Sequence, residues 1–186
     1  MRRILATACV VAVSGVFVMA VTPALASTPT VSVHAGISPA SVTAARNVAN
    51  SVVTFRAQMN AVLANYLKDY GDRLSASELA LSKELIAKAD SSLDGIQAAT
   101  ARTSTLASSG ASKARVLAAS RAAEKSFTTS HDQALAALNQ ITPILQPKLG
   151  LFEALGARRD ADDMLAKFAT VGTKITALTK TVNTSR

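Results

Sequence analysis

From Ser38 onward, apolar residues recur every three to four positions and proline is absent between Pro39 and Pro143. That spacing puts one apolar stripe on each of several long α-helices. The first helix is predicted to open on Ser38 as N-cap with Pro39 at its first helical position. Its stripe reads Ala45, Val48, Val52, Phe55, Met59, Val62 and Tyr66, and Gly71 is its expected stop. A second helix opens on Ser75-Ala76-Ser77-Glu78, where a serine hydroxyl and a glutamate three residues later can each satisfy the other's free amide. Its stripe runs Leu79, Ser82, Ile86, Ala89, Leu93 and Ile96, with weaker positions to Leu106. Ser108-Ser109-Gly110 is the next turn.

The third helix is expected from about Ser112 through Val116, Ser120, Ala123, Phe127, His131, Ala134, Leu138 and Ile141, with Pro143 and Pro147 kinking or ending it. In the fourth region, Gly156 is expected to interrupt the pattern. Asp160, Asp162 and Asp163 then read as a helix start, their carboxylates placed at the positive end of the helix dipole. The stripe continues through Leu165, Phe168, Val171, Ile175, Leu178 and Val182. Three helices of about 32 residues would each span roughly 48 Å, and a fourth from Asp160 about 35 Å. Short joins make sequential helices antiparallel neighbours. The predicted fold class is therefore all-α, an antiparallel up-down-up-down four-helix bundle of long helices over residues 38–186. Three helices that bury their open face by dimerising are the structural alternative.

The pattern ahead of the helices is of another kind. Arg2 and Arg3 precede an apolar run over residues 4–21, then Pro23 and the small-x-small site Ala24-Leu25-Ala26 before Ser27. These are the parts of an export signal in order, so residues 1–26 are predicted to be a signal peptide cleaved between Ala26 and Ser27. Residues 27–37 form a flexible leader, and the remaining chain is exported, secreted or held at the cell envelope. Cys9 sits at the start of the apolar run rather than its end, where a lipidated cysteine would lie.

Composition changes the picture at two points. The chain of 186 residues carries 20 basic and 12 acidic side chains for a net charge of +8. Losing Arg2 and Arg3 with the signal lowers that to about +6. Losing Cys9, the one cysteine, removes thiol and disulfide chemistry. With no tryptophan and 4% aromatic residues, the core must be small aliphatic side chains between closely spaced helices. Alanine-rich composition of this kind resembles exported helical proteins of bacteria, and no motif identifies a family.

Catalytic machinery is sparse. Two histidines, His34 and His131, are present, no serine lies in a Gly-x-Ser-x-Gly elbow, and metal-ligand spacings such as His-Glu-x-x-His are missing. Asp160, Asp162 and Asp163 lack the glycine and the later ligands of a calcium loop. The chain is thus expected to act by binding and not as an enzyme, without cofactor or metal. Basic residues are scattered without aromatic platforms between them, which argues against nucleic acid. Helix 2 is slightly acidic while helices 1, 3 and the C-terminal region are net positive. That suits an anionic envelope polymer, a lipid surface, or a protein partner. The alternative is a carrier of a small apolar or haem-like ligand between the helices. Met59 and His131, each about 20 residues into helices 1 and 3, are its candidate axial ligands, and Asp132 or Glu124 offers His131 an ordinary partner instead.

Overall fold

A computed structural model describes residues 36–185. They belong to one unit, Val33–Arg186, and are all-helical, with four long helical segments and no strand among them. The expected signal peptide, its cleavage site at Ala24, Ala26 and Ser27, and nearly all of the leader lie outside the described residues. No described helix is long and apolar enough to cross a membrane.

Helix α1 (Pro39–Tyr70) starts as its sequence requires, with the Ser38 hydroxyl accepting from the Ser41 amide and Pro39 at the first position. Gly71 ends it within a short 3-10 turn, Gly71–Arg73. The buried stripe follows expectation through Met59 and then takes Leu63 instead of Val62. A step of four keeps 3.6-residue periodicity in phase where a step of three would drift off the face.

The second long segment is two helices, α2 (Ala76–Ser92) and α3 (Asp94–Ser108), where one had been expected. Ser75 and Glu78 form both halves of the predicted capping box, at 3.3 and 2.7 Å. At Leu93 the chain tightens, its amide donating to the Asp90 carbonyl. Leu85 takes the buried place expected of Ile86, and beyond the break Thr100 and Thr103 lie fully buried. Their hydroxyls donate to their own helix, to Ile96 and Ala99 carbonyls at 2.8 Å each. These two threonines thereby enter the core without an orphaned donor, whereas the buried Ser82 hydroxyl of α2 has no partner among the described residues. Gly110, at φ 71°, makes the left-handed turn that follows.

Helix α4 (Lys113–Leu145) contains Pro143 rather than ending before it, and the 3-10 turn Gln146–Lys148 follows. Its buried face includes Ala119, Ser130 and Ala137, while Phe127, His131 and Leu138 are only partly covered. Helix α5 (Leu151–Thr184) corrects the expectation for the fourth region. It passes straight through Gly156, and Asp160, Asp162 and Asp163 lie inside it. The free amide at its start is met by Glu153, whose carboxylate accepts from Gly150 N at 2.7 Å. Nothing obliges a helix to break at an interior glycine, which costs only about 1 kcal/mol there. Leu165, expected in the stripe, is exposed, while Phe168, Val171, Ile175, Leu178 and Val182 are buried as expected.

Helix α1 packs on α3 and α5, and α4 packs on α2, α3 and α5. Ser38 meets Ser185, Ser51 meets Lys174, Phe55 stacks on Phe168 at 4.6 Å and Tyr66 donates to Asp160. Residue numbers on α5 thus fall as those on α1 rise. The core between the helices is mostly Ala, Val, Ile and Leu, with Met59 and the two stacked phenylalanines among its largest side chains.

Candidate binding surface

The aromatic layer divides the helices at mid-height. Phe55 and Phe168 stack, and Phe127 meets Phe168 edge-on with ring centres 5.2 Å apart. On one side of it lie the start of α1, the end of α3, the start of α4 and the end of α5. The pairs Gly36 with Ser112 and Ser38 with Ser185 mark the tip.

Charge is distributed very unevenly about this layer. On the Ser38 side, α1 brings Arg46, α3 brings Arg102, α4 brings Lys113, Arg115, Arg121 and Lys125, and α5 brings Lys174 and Lys180. Against these eight cations stands a single carboxylate, Glu124, out of the 12 acidic residues of the chain. All but Lys113 are exposed at the surface. Lys113 donates to the Ser185 carbonyl and Lys174 to the Ser51 hydroxyl. Arg46, Arg102, Arg115, Arg121, Lys125 and Lys180 make no side-chain hydrogen bond or ion pair among the described residues.

The other eleven carboxylates sit on the far side, several of them in ion pairs. Arg56 grips Asp90 with Nε at 2.7 Å and Nη2 at 2.6 Å, and reaches Asp94 at 2.6 Å and Gln97 at 3.0 Å. That clamp holds the Asp90 carboxyl below its usual range. It ties α1 to both sides of the α2–α3 break. Arg73 forms a fork on Glu153 at 2.6 and 2.8 Å. With the Gly150 amide as second donor, Glu153 is pulled down to about 2. Lys148 pairs with Glu78 at 3.2 Å. Burial, followed by its bond to Asp160, raises the Tyr66 phenol.

None of these pairs was readable from local spacing, since their partners lie tens of residues apart. The one usable signal for the clamp was Asp90 and Asp94 at i and i+4, which shares one helix face.

The two haem-ligand candidates lie in different environments. Met59 is 1% exposed within the core cluster. His131 sits on the α4–α5 surface, its Nδ1 3.2 Å from the Asp132 carboxylate and its ring 5.1 Å from that of Phe168. A shallow groove there, lined by His131, Phe127, Gly172, Thr176 and Lys180, does not include Met59. A second groove, between α1 and α5, is lined by Asn47, Ser51, Thr54, Thr170 and Lys174 over a floor of Phe55 and Leu178, and includes neither candidate. No cluster of three metal-ligating side chains occurs among the described residues. No protein-family model, curated protein or solved structure matches the chain.

Proposed function

We propose that the chain is exported, is cleaved after Ala26, and works outside the cytoplasm as a non-enzymatic, up-down-up-down four-helix bundle that binds an anionic component of the cell envelope. The observation that carries this reading is the set of eight cations facing a single carboxylate on the Ser38 side of the aromatic layer. Like charges gathered on one half of a molecule repel one another, and a polyanion relieves that repulsion by replacing their counterions. The bundle topology rests on the opposed residue order of α1 and α5 and on short joins at Gly71–Arg73 and Gly110. Export rests on the order of Arg2, Arg3, the apolar run and Ala24-Leu25-Ala26.

Fractionation of the producing cells tests both parts. The protein should be recovered from envelope or medium with Ser27 as its first residue. Envelope-bound material should be released steeply between low and physiological salt, where the screening length shrinks to about 8 Å. A cytoplasmic protein that begins at Met1 would overturn the export reading, and envelope attachment indifferent to salt would overturn the electrostatic one.

A further inference from the structure

We infer that the cationic half is a membrane-docking end, and that it seats end-on against an anionic phospholipid surface. This inference rests on the envelope-binding reading and names which part of the molecule binds, and to what.

Three observations carry it. First, the cations are contributed by α1, α3, α4 and α5 alike and so surround the end instead of lining one groove. A charged plane can engage such a ring all at once, whereas a single polymer strand in a groove would meet one side of it. At 1.5 Å per residue, Lys113, Arg115 and Arg121 lie within about 12 Å of the start of α4. Lys180 lies about 6 Å, and Arg102 about 9 Å, from the ends of α5 and α3. Lys113, Arg115, Lys180 and Arg102, half of these charges, therefore come within about one screening length of a surface at the tip, with Arg46 and Arg121 just beyond it.

Second, the chain enters the helical unit at this same end, where Gly36 pairs with Ser112. Residues 22–35 join that point to the apolar run read as the export signal. Cleavage after Ala26 would leave residues 27–35 attached there and so tether one further positive charge, the Ser27 α-amino group, to this end.

Third, among the described residues the large exposed apolar side chains Leu81, Leu151, Phe152, Leu155 and Leu165 all lie on the far side of the aromatic layer, with only Val53 on the cationic side. Docking is thus electrostatic, without apolar insertion, and reversible by salt.

The test uses the chain from Ser27 onward, which contains the whole compact unit Val33–Arg186, and vesicles of equal parts phosphatidylglycerol and phosphatidylcholine. A cationic-end variant carries Arg102→Gln, Arg115→Gln, Arg121→Gln and Lys180→Gln. A distal control, Lys68→Gln, Lys83→Gln, Lys88→Gln and Arg158→Gln, removes the same net charge from exposed positions on the far side. At low salt the parent protein should bind these vesicles and ignore phosphatidylcholine alone. Each cation near the surface is worth about fivefold, so the cationic-end variant should lose on the order of a hundredfold or more and the control only a few-fold. Arg115→Gln and Lys180→Gln, made singly, should each lose about fivefold, which keeps the test sound if the quadruple variant folds poorly. Equal losses in the two quadruple variants would overturn the docking end and leave envelope binding standing. Binding to soluble polyphosphate but not to vesicles would overturn the lipid assignment alone. Binding to neither would overturn this inference together with the reading it rests on.

Discussion

Two glycines of the same helix should respond differently to the same substitution. At Gly156 an added Cβ would meet nothing within 4 Å, and the residue is helical. Gly156→Ala should therefore stabilise by about 1 kcal/mol, the difference in helix propensity between the two residues. At Gly172 the same atom would lie 2.5 Å from Phe127 Cζ and 2.6 Å from Cε1. Carbon atoms in contact sit about 3.5 to 4.0 Å apart, so the ring would have to retreat by about 1 Å. Phe127 is also held edge-on to Phe168 and lies 5.7 Å from the His131 ring, so retreat disturbs the aromatic layer. Overpacking of this kind costs about 1 to 3 kcal/mol and outweighs the propensity gain of about 1 kcal/mol. Gly172→Ala should end up neutral to about 2 kcal/mol less stable. Thermal unfolding followed by far-UV circular dichroism resolves this, since 1 kcal/mol moves the Tm of a domain this size by about 2 to 4 °C. A Gly172→Ala gain equal to that of Gly156→Ala would mean that Phe127 does not seat on α5 as described. A loss at Gly156 would mean that α5 does not run through that position.

The remaining predictions concern the joins and the core. Leu93→Ala, at a 1% exposed side chain in the α2–α3 break, should cost about 2 to 4 kcal/mol in urea unfolding. Arg56→Ala should cost about 1 to 2 kcal/mol, discounted for its partial exposure, because it leaves the Asp90 and Asp94 carboxylates without their shared partner. Hydrogen exchange should also quicken around the break. Ser75→Ala should cost about 1 kcal/mol through loss of the cap. Asp90, Glu78 and Glu153 all have carboxyl groups held below their unfolded values, Glu153 at about 2. The unfolded chain then binds more protons, so their stabilisation is fully present above about pH 5 and is lost as the pH falls toward 2. Acid titration of the Tm should show that decline, and Arg73→Gln should flatten part of it.

How much was legible beforehand follows from which interactions are local. The caps at Ser38 and Ser75, the turn at Gly110 and most of the apolar stripes depend on residues three or four apart, and they stand as read. The break at Leu93 does not, because it is fixed in space by an arginine from another helix. The start of α5 was misplaced for a related reason: three aspartates and a glycine carry a helix-start signal, yet Glu153 had already supplied the cap seven residues earlier. Charge was legible helix by helix but not along the bundle. Helix α4 carries cations near its start and α5 carries them near its end, and only their packing gathers both sets on one side of the aromatic layer.

That polarity also governs how copies of the molecule meet one another. Two neighbours lying side by side in the same orientation set cationic flank against cationic flank, so dense parallel crowding on any surface limits itself. Neighbours in opposite orientation bring Arg121 and Lys125 of one beside the other half of the next, where eleven carboxylates face nine cations and the charge nearly cancels. Both arrangements are opposed by the net positive charge of each copy, but at low ionic strength crowded copies should favour alternating over parallel polarity, and added salt should erase that preference.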